Sequence, residues 1–261
     1  MSALEIQKQL LLLGSQAAQV FERKAFKLAV WVGVYGPFST QAQQCIWKGN
    51  HVQLVIFYDP AYSENEILEW YASNGEDDLW LDPDGFELER AWNRRVDILK
   101  IYKGTLRSKE DVMAILHAQT IYGNFNHPVL QHLRSSYIEK AQECEEKLED
   151  SQDLALRAIQ SEDSSTEYQL ECIHQIAKIL SDGNEDDPLC YALLGRVKRM
   201  VNDMAKKGDG KLTKKSLKDL CSRLIEYESR AWSITEDATI AENMRAEWKR
   251  SVVEPEGDIM G

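Results

Sequence analysis

The sequence predicts an α+β fold, on three observations. Runs of β-branched and aromatic residues that read as strands all fall before residue 103, helical periodicity takes over from residue 108, and the two regions are of comparable size. The layout expected is a mixed sheet with flanking helices over 1–135, followed by a helical bundle over 136–261 that ends in a frayed tail. Of the 261 residues, 43% are hydrophobic and 28% charged, a balance that excludes wholesale disorder and collagen-like repeats and provides enough apolar surface for a core.

The elements follow in order. Leu10, Leu13, Ala17, Val20 and Phe21 recur at helical spacing, so 4–23 reads as an amphipathic helix. Residues 26–35 are β-branched and aromatic and end at Gly36-Pro37, which predicts a buried strand and a sharp turn. A second strand is predicted at 51–58, closed by Asp59-Pro60, and a third at 95–102, closed by Gly104. Between them, 64–72 reads as a helix, while Asn74-Gly75 and Pro83-Asp84-Gly85 carry turn chemistry. Ser108-Lys-Glu-Asp111 is a helix start, and that helix is expected to run through Thr120. Helices are then expected at 129–158, 167–180 and 188–204, the last with Pro188 in its first turn, and at 216–229 and 235–250.

Charge narrows the partners. Asp plus Glu number 43 against 31 Lys plus Arg, a formal net charge of -12, so no long-range field draws in nucleic acid or anionic lipid. No nucleic-acid or membrane partner is expected. Locally, 59–89 holds eleven acids and no Lys or Arg, whereas 90–109 holds seven Lys or Arg and only Asp97. Two readings apply: a solvated acidic excursion beside a basic strand edge, or Arg90, Arg94, Arg95 and Lys100 holding an anionic ligand. Alternation along the strand puts Arg95, Asp97 and Leu99 on one face and Lys100 on the other, so the four cations do not all converge.

The five cysteines make no C-x-x-C pair and no zinc-type spacing, which favours reduced thiols in a cytosolic setting. No run approaches the length of a membrane span, and 1–9 lacks the positive n-region of a signal peptide. A cytoplasmic location is expected. Five of the seven tryptophans fall within 31–92 and are expected in the core or in a pocket wall. There is no G-x-x-x-x-G-K-[ST], G-x-G-x-x-G, H-E-x-x-H or G-x-S-x-G. Residues 207–213 look superficially like a calcium loop, but Asp209 is their only carboxylate, so they are read as an interhelical loop. The five histidines show no ligand pairing and are read as ordinary structural residues except where position argues otherwise.

One constellation stands out. A helix, a strand ending in Gly36, a turn with Ser39, a short helical stretch to Gln44, a strand from His51 and a third strand carrying Asp97 succeed one another. This order resembles the nucleotidyltransferase fold of the polymerase-beta type, including the small aminoglycoside and lincosamide nucleotidyltransferases. Residues 118–133 are similar to that family's passage into its C-terminal helical domain. The resemblance implies a Gly-Ser turn that cradles a triphosphate, two acids one residue apart on the second strand, and a third acid from a later strand. Alternation brings such acids to one face, where hard anionic oxygens bind magnesium.

This chain departs from that pattern at the decisive positions. Pro37 follows Gly36 and has no N–H for a phosphate, although Ser39 and Thr40 keep hydroxyls. The paired acids align with His51 and Gln53, leaving Asp97 as the retained carboxylate. The resemblance therefore implies a degenerate member of the fold, with no metal site and no cofactor expected. Its cleft would bind a small molecule or support metal-independent acid–base chemistry by His51, Asp97 and Tyr35, with Gly36, Ser39, Gln53 and Arg95 as ligand-binding residues. Two alternatives stay open. One is a divergent active nucleotidyltransferase that moves a nucleotide from a magnesium–NTP complex to a small acceptor. The other is a non-enzymatic helical interaction module, including a homodimer.

Overall fold

A computed structural model of the chain describes residues 3–23, 28–35, 51–74, 83–124, 126–160, 166–182, 186–206 and 212–253. The chain divides into two compact units, Met1–Ser135 with Asp237–Gly261, and Ser136–Glu236. The final stretch thus groups with the sheet-bearing residues rather than with the helical region.

The first unit is built on four strands in the order β3-β2-β1-β4: β1 (Ala29–Tyr35), β2 (His51–Tyr58), β3 (Arg95–Ile101) and β4 (Gln119–Gly123). β1 runs antiparallel to β2 and β4, and β2 runs parallel to β3. A parallel pair needs a crossover, and the chain supplies it with α2 (Glu64–Asn74) and α3 (Pro83–Trp92). Among the described residues, α1 (Ala3–Arg23) precedes the sheet, and α4 (Lys109–His117) lies between β3 and β4.

The apolar pattern of β2 explains its central place. Every residue from Val52 to Tyr58 is buried except the half-buried Gln53, as expected of a strand covered on both faces. On one face Val32, Val34, Val52, Leu54, Ile56 and Val96 form a core with Leu10, Leu13 and Ala17 of α1, Ile67 of α2, and Leu88 and Trp92 of α3. The spacing of Leu10, Leu13 and Ala17 gives α1 its apolar stripe. Gly14 lets this helix approach β4 closely, because a Cβ there would stand 2.5 Å from the carbonyl oxygen of Ile121. Trp31, on the alternate side of β1, is fully buried. Its indole Nε1 donates to Thr120 Oγ1 at 2.9 Å, and the Arg134 guanidinium lies 4.8 Å from its ring centroid. Arg134 is itself 1% exposed and donates through Nε to the carbonyl of Ile115 at 3.0 Å.

The second unit is helical. It draws on α5 (Pro128–Gln160), α6 (Thr166–Ser181), α7 (Pro188–Lys206) and α8 (Lys214–Val253). α6 buries Cys172, Ile173, Ile176 and Leu180, and α7 buries Leu189, Leu193, Leu194, Val197 and Val201, both at helical spacing. Lys140 of α5 pairs with Asp187, whose Oδ1 accepts the backbone N–H groups of Leu189 at 2.9 Å and Cys190 at 3.1 Å and so caps α7.

Three expectations need correction. The helix predicted through Thr120 stops at His117, because Ala118 is extended and Gln119-Thr-Ile-Tyr-Gly123 pairs with the free side of β1. Pro83-Asp84-Gly85, read as a turn, opens α3, with proline at the first helical position where its missing N–H costs nothing. The two helices expected at 216–229 and 235–250 are one continuous α8. No helix among the described residues is long and apolar enough to cross a membrane.

Candidate functional site

Tyr35 ends β1, Gln53 is the third residue of β2 and Asp97 the third of β3. The register pairs Tyr35 with Gln53 and Gln53 with Asp97, so the three occupy one row across adjacent strands. Residues paired in this way point to the same side of a sheet. Strands are about 4.8 Å apart, so the row spans roughly 10 Å, the size of a small-molecule contact. In the register His51 pairs with Arg95, two residues before the Gln53–Asp97 pair.

The helix that follows β3 completes this corner. Ser108 Oγ accepts the Asp111 N–H at 3.1 Å, and Asp111 Oδ2 accepts the N–H of Ser108 at 2.9 Å and of Arg107 at 2.6 Å. That reciprocal cap starts α4 and fixes Glu110 in its first turn. The Tyr35 phenol donates to Glu110 Oε1 at 3.2 Å. Burial pushes the phenol pKa up, and the Glu110 charge, the Glu110 hydrogen bond and the charges of Asp111 and Asp97 push it the same way. Tyr35 therefore keeps its proton, which is committed to Glu110, and does not act as a base; its oxygen is left to accept.

Asp97 is wetter. Its side chain is 47% exposed, and Arg95 Nε stands 3.7 Å from Oδ1 on a side chain 75% exposed. An exposed pair at that distance contributes about 0–1 kcal/mol and leaves the carboxylate accessible to a ligand. Lys100 is in register with Ile56, on the opposite side of β3 from Asp97, so Arg95 and Lys100 do not converge on one anion.

Among the expected site residues, the register brings Tyr35, Gln53 and Asp97 together, with Arg95 beside Asp97. His51 is placed by its backbone, while its side chain, Gly36 and Ser39 lie outside the described residues. Glu110 was not anticipated as a site residue. The signal for it was the Ser108 helix start, which fixes where the first turn falls but not that Tyr35 reaches it. Among the described residues, no group of three or more His, Cys, Asp or Glu is arranged to hold a metal ion.

No family model matches this chain, and no curated protein or solved structure matches it.

Proposed function

We propose that this chain has a nucleotidyltransferase-type scaffold whose two-metal acid set has been reduced to Asp97, and that its cleft binds a small polar molecule. The observation that carries the reading is the row Tyr35–Gln53–Asp97. Its middle position would hold an acid in a metal-dependent member, and here it holds a neutral amide. One carboxylate does not supply the anionic oxygens that hold two magnesium ions at a strand-borne site, whereas a phenol oxygen able to accept, an amide and a carboxylate suit a neutral or cationic polyhydroxy or amino compound. Acid–base chemistry by His51 with Asp97 is the catalytic form of this reading, with the Tyr35 oxygen as a neutral acceptor and Gly36, Ser39 and Arg95 at the rim. A cytosolic setting fits the free thiols of Cys144, Cys172, Cys190 and Cys221.

The experiment is a ligand screen by thermal shift and calorimetry against small polar compounds, with and without magnesium and NTP. Binding without metal that disappears in Asp97→Asn and Gln53→Ala, both still folded, supports the reading. Tight binding that requires magnesium and NTP overturns it in favour of an active nucleotidyltransferase, which would need carboxylates from outside the row.

A second reading rests on a separate observation. On α8, Ile225 is 43% and Trp232 is 53% exposed, two turns apart on one side of the helix. This supports a homodimer surface. Light scattering is the test: a dimer that Trp232→Lys converts to monomer supports it, and a wild-type monomer at all concentrations overturns it.

A further inference from the structure

Cys144 and Cys190 sit on different helices of the second unit. Lys140, one turn before Cys144 on α5, pairs with Asp187, three residues before Cys190 at the start of α7. Lys140 and Cys144 share a face of α5, and Asp187 caps the first turn of α7, in which Cys190 lies, so the ion pair ties that face of α5 to the Cys190 turn. The Asp187 cap also fixes the backbone of Cys190 through its N–H at 3.1 Å. Cys144 is 2% exposed, whereas Cys190 is half-buried. The hydrogen bond between the thiols raises the Cys144 pKa and lowers that of Cys190. Burial and Asp187 oppose ionisation of Cys190, Lys140 and Lys147 favour it, and the balance lies below an ordinary thiol.

We propose that Cys190 and Cys144 form a hydroperoxide-responsive dithiol, in which accessible Cys190 attacks the peroxide and buried Cys144 resolves the product. The Cys190 thiolate attacks one peroxide oxygen. An S–O bond forms, the O–O bond breaks, and the other oxygen leaves as an alcohol or water after taking a proton. Cys190 is oxidised by two electrons to the sulfenic acid, and the peroxide is reduced. The Cys144 sulfur then attacks the Cys190 sulfur, the S–S bond forms, and hydroxide departs with the Cys144 proton as water. The first step also removes the anion that holds the Cys144 proton in place, so it prepares the second. The sum is two thiols and one hydroperoxide giving one disulfide, one alcohol or water, and one water.

The test uses the full, reduced chain and hydrogen peroxide. The expected result is an intact-mass loss of about 2 Da, reversed by dithiothreitol, with a Cys144–Cys190 linked peptide in a non-reducing digest. In Cys144→Ala the Cys190 sulfenic acid persists and is trapped by dimedone, and in Cys190→Ala the Cys144 thiol stays unmodified. Folded wild type that yields no Cys144–Cys190 link, that links either cysteine to Cys172 or Cys221 instead, or that is sulfenylated equally in Cys190→Ala, overturns the proposal.

Discussion

The Tyr35 phenol donates to the Glu110 carboxylate at 3.2 Å and so joins the last residue of β1 to the first turn of α4, 75 residues later. The row Tyr35–Gln53–Asp97 is thereby closed at one end by a helix start, and the chemical character of the corner follows from that contact. A buried phenol facing three acids stays neutral, and with its one proton given to Glu110 its oxygen meets a ligand as an acceptor.

This contact has a pH signature. The folded-state pKa of Tyr35 lies above its unfolded value of 10.0, so its contribution to stability is complete below pH 10 and is lost as pH rises from there toward the higher folded value. Tyr35→Phe should lose less stability than wild type between roughly pH 9 and 11, where an ordinary phenol titrates. Urea melts at both ends of that range check it, and equal losses in the two proteins would contradict it.

Gly14→Ala should destabilise the fold despite the better helix propensity of alanine. Propensity favours the change by about 1 kcal/mol, but the new Cβ would stand 2.5 Å from the Ile121 carbonyl oxygen, a backbone atom that moves only with β4. Overpacking of this kind costs about 1–3 kcal/mol, so the net effect in denaturant melts should be a loss of about 0–2 kcal/mol. A more stable variant would mean that α1 does not approach β4 so closely.

Arg134→Lys should cost about 2–4 kcal/mol, although charge is conserved. A lysine gives up the flat group 4.8 Å from the Trp31 centroid and does not reproduce the Nε bond to Ile115, while an ammonium stays in a site that is 1% exposed. Thermal unfolding with Trp fluorescence would register both the lost stability and the altered indole environment.

Asp187→Asn should lose much of the pairing with Lys140 while keeping an oxygen for the cap. Burial raises the Asp187 pKa, but the Lys140 hydrogen bond, the backbone N–H groups of Cys190 and Leu189 and the Lys140 charge outweigh it, so the folded value lies below the ordinary one. Its contribution is therefore present above about pH 4 and is lost as pH falls through the lower folded value. The stability gap between wild type and Asp187→Asn should narrow below pH 4. A gap that does not change with pH would show that the carboxylate charge is not what stabilises α7.

Legibility tracked the range of the interactions involved. The three strands and most helices were readable because burial imposes a period of two or about 3.6 on one short segment at a time. β4 was missed because Gln119-Thr-Ile-Tyr-Gly123 follows directly on a helix, and only the unpaired side of β1 calls for a strand there. The break expected between 229 and 235 is absent because nothing in 230–234 interrupts a helix: there is no proline or glycine in that stretch.

The residue types at the candidate site are legible in the sequence alone: a neutral Gln53 on the second strand, Asp97 on the third, and a proline after Gly36. Alternation also determined that Arg95 and Asp97 share a face, since that depends on one strand only. What tertiary structure decided was register and reach. The pairing of Tyr35 with Gln53 and of Gln53 with Asp97, the arrival of Glu110 at Tyr35, and the meeting of Cys144 with Cys190 each join segments whose separation along the chain carries no local pattern. Such contacts are set by how the sheet and helices bury their apolar faces together, and that is a property of the whole packed chain.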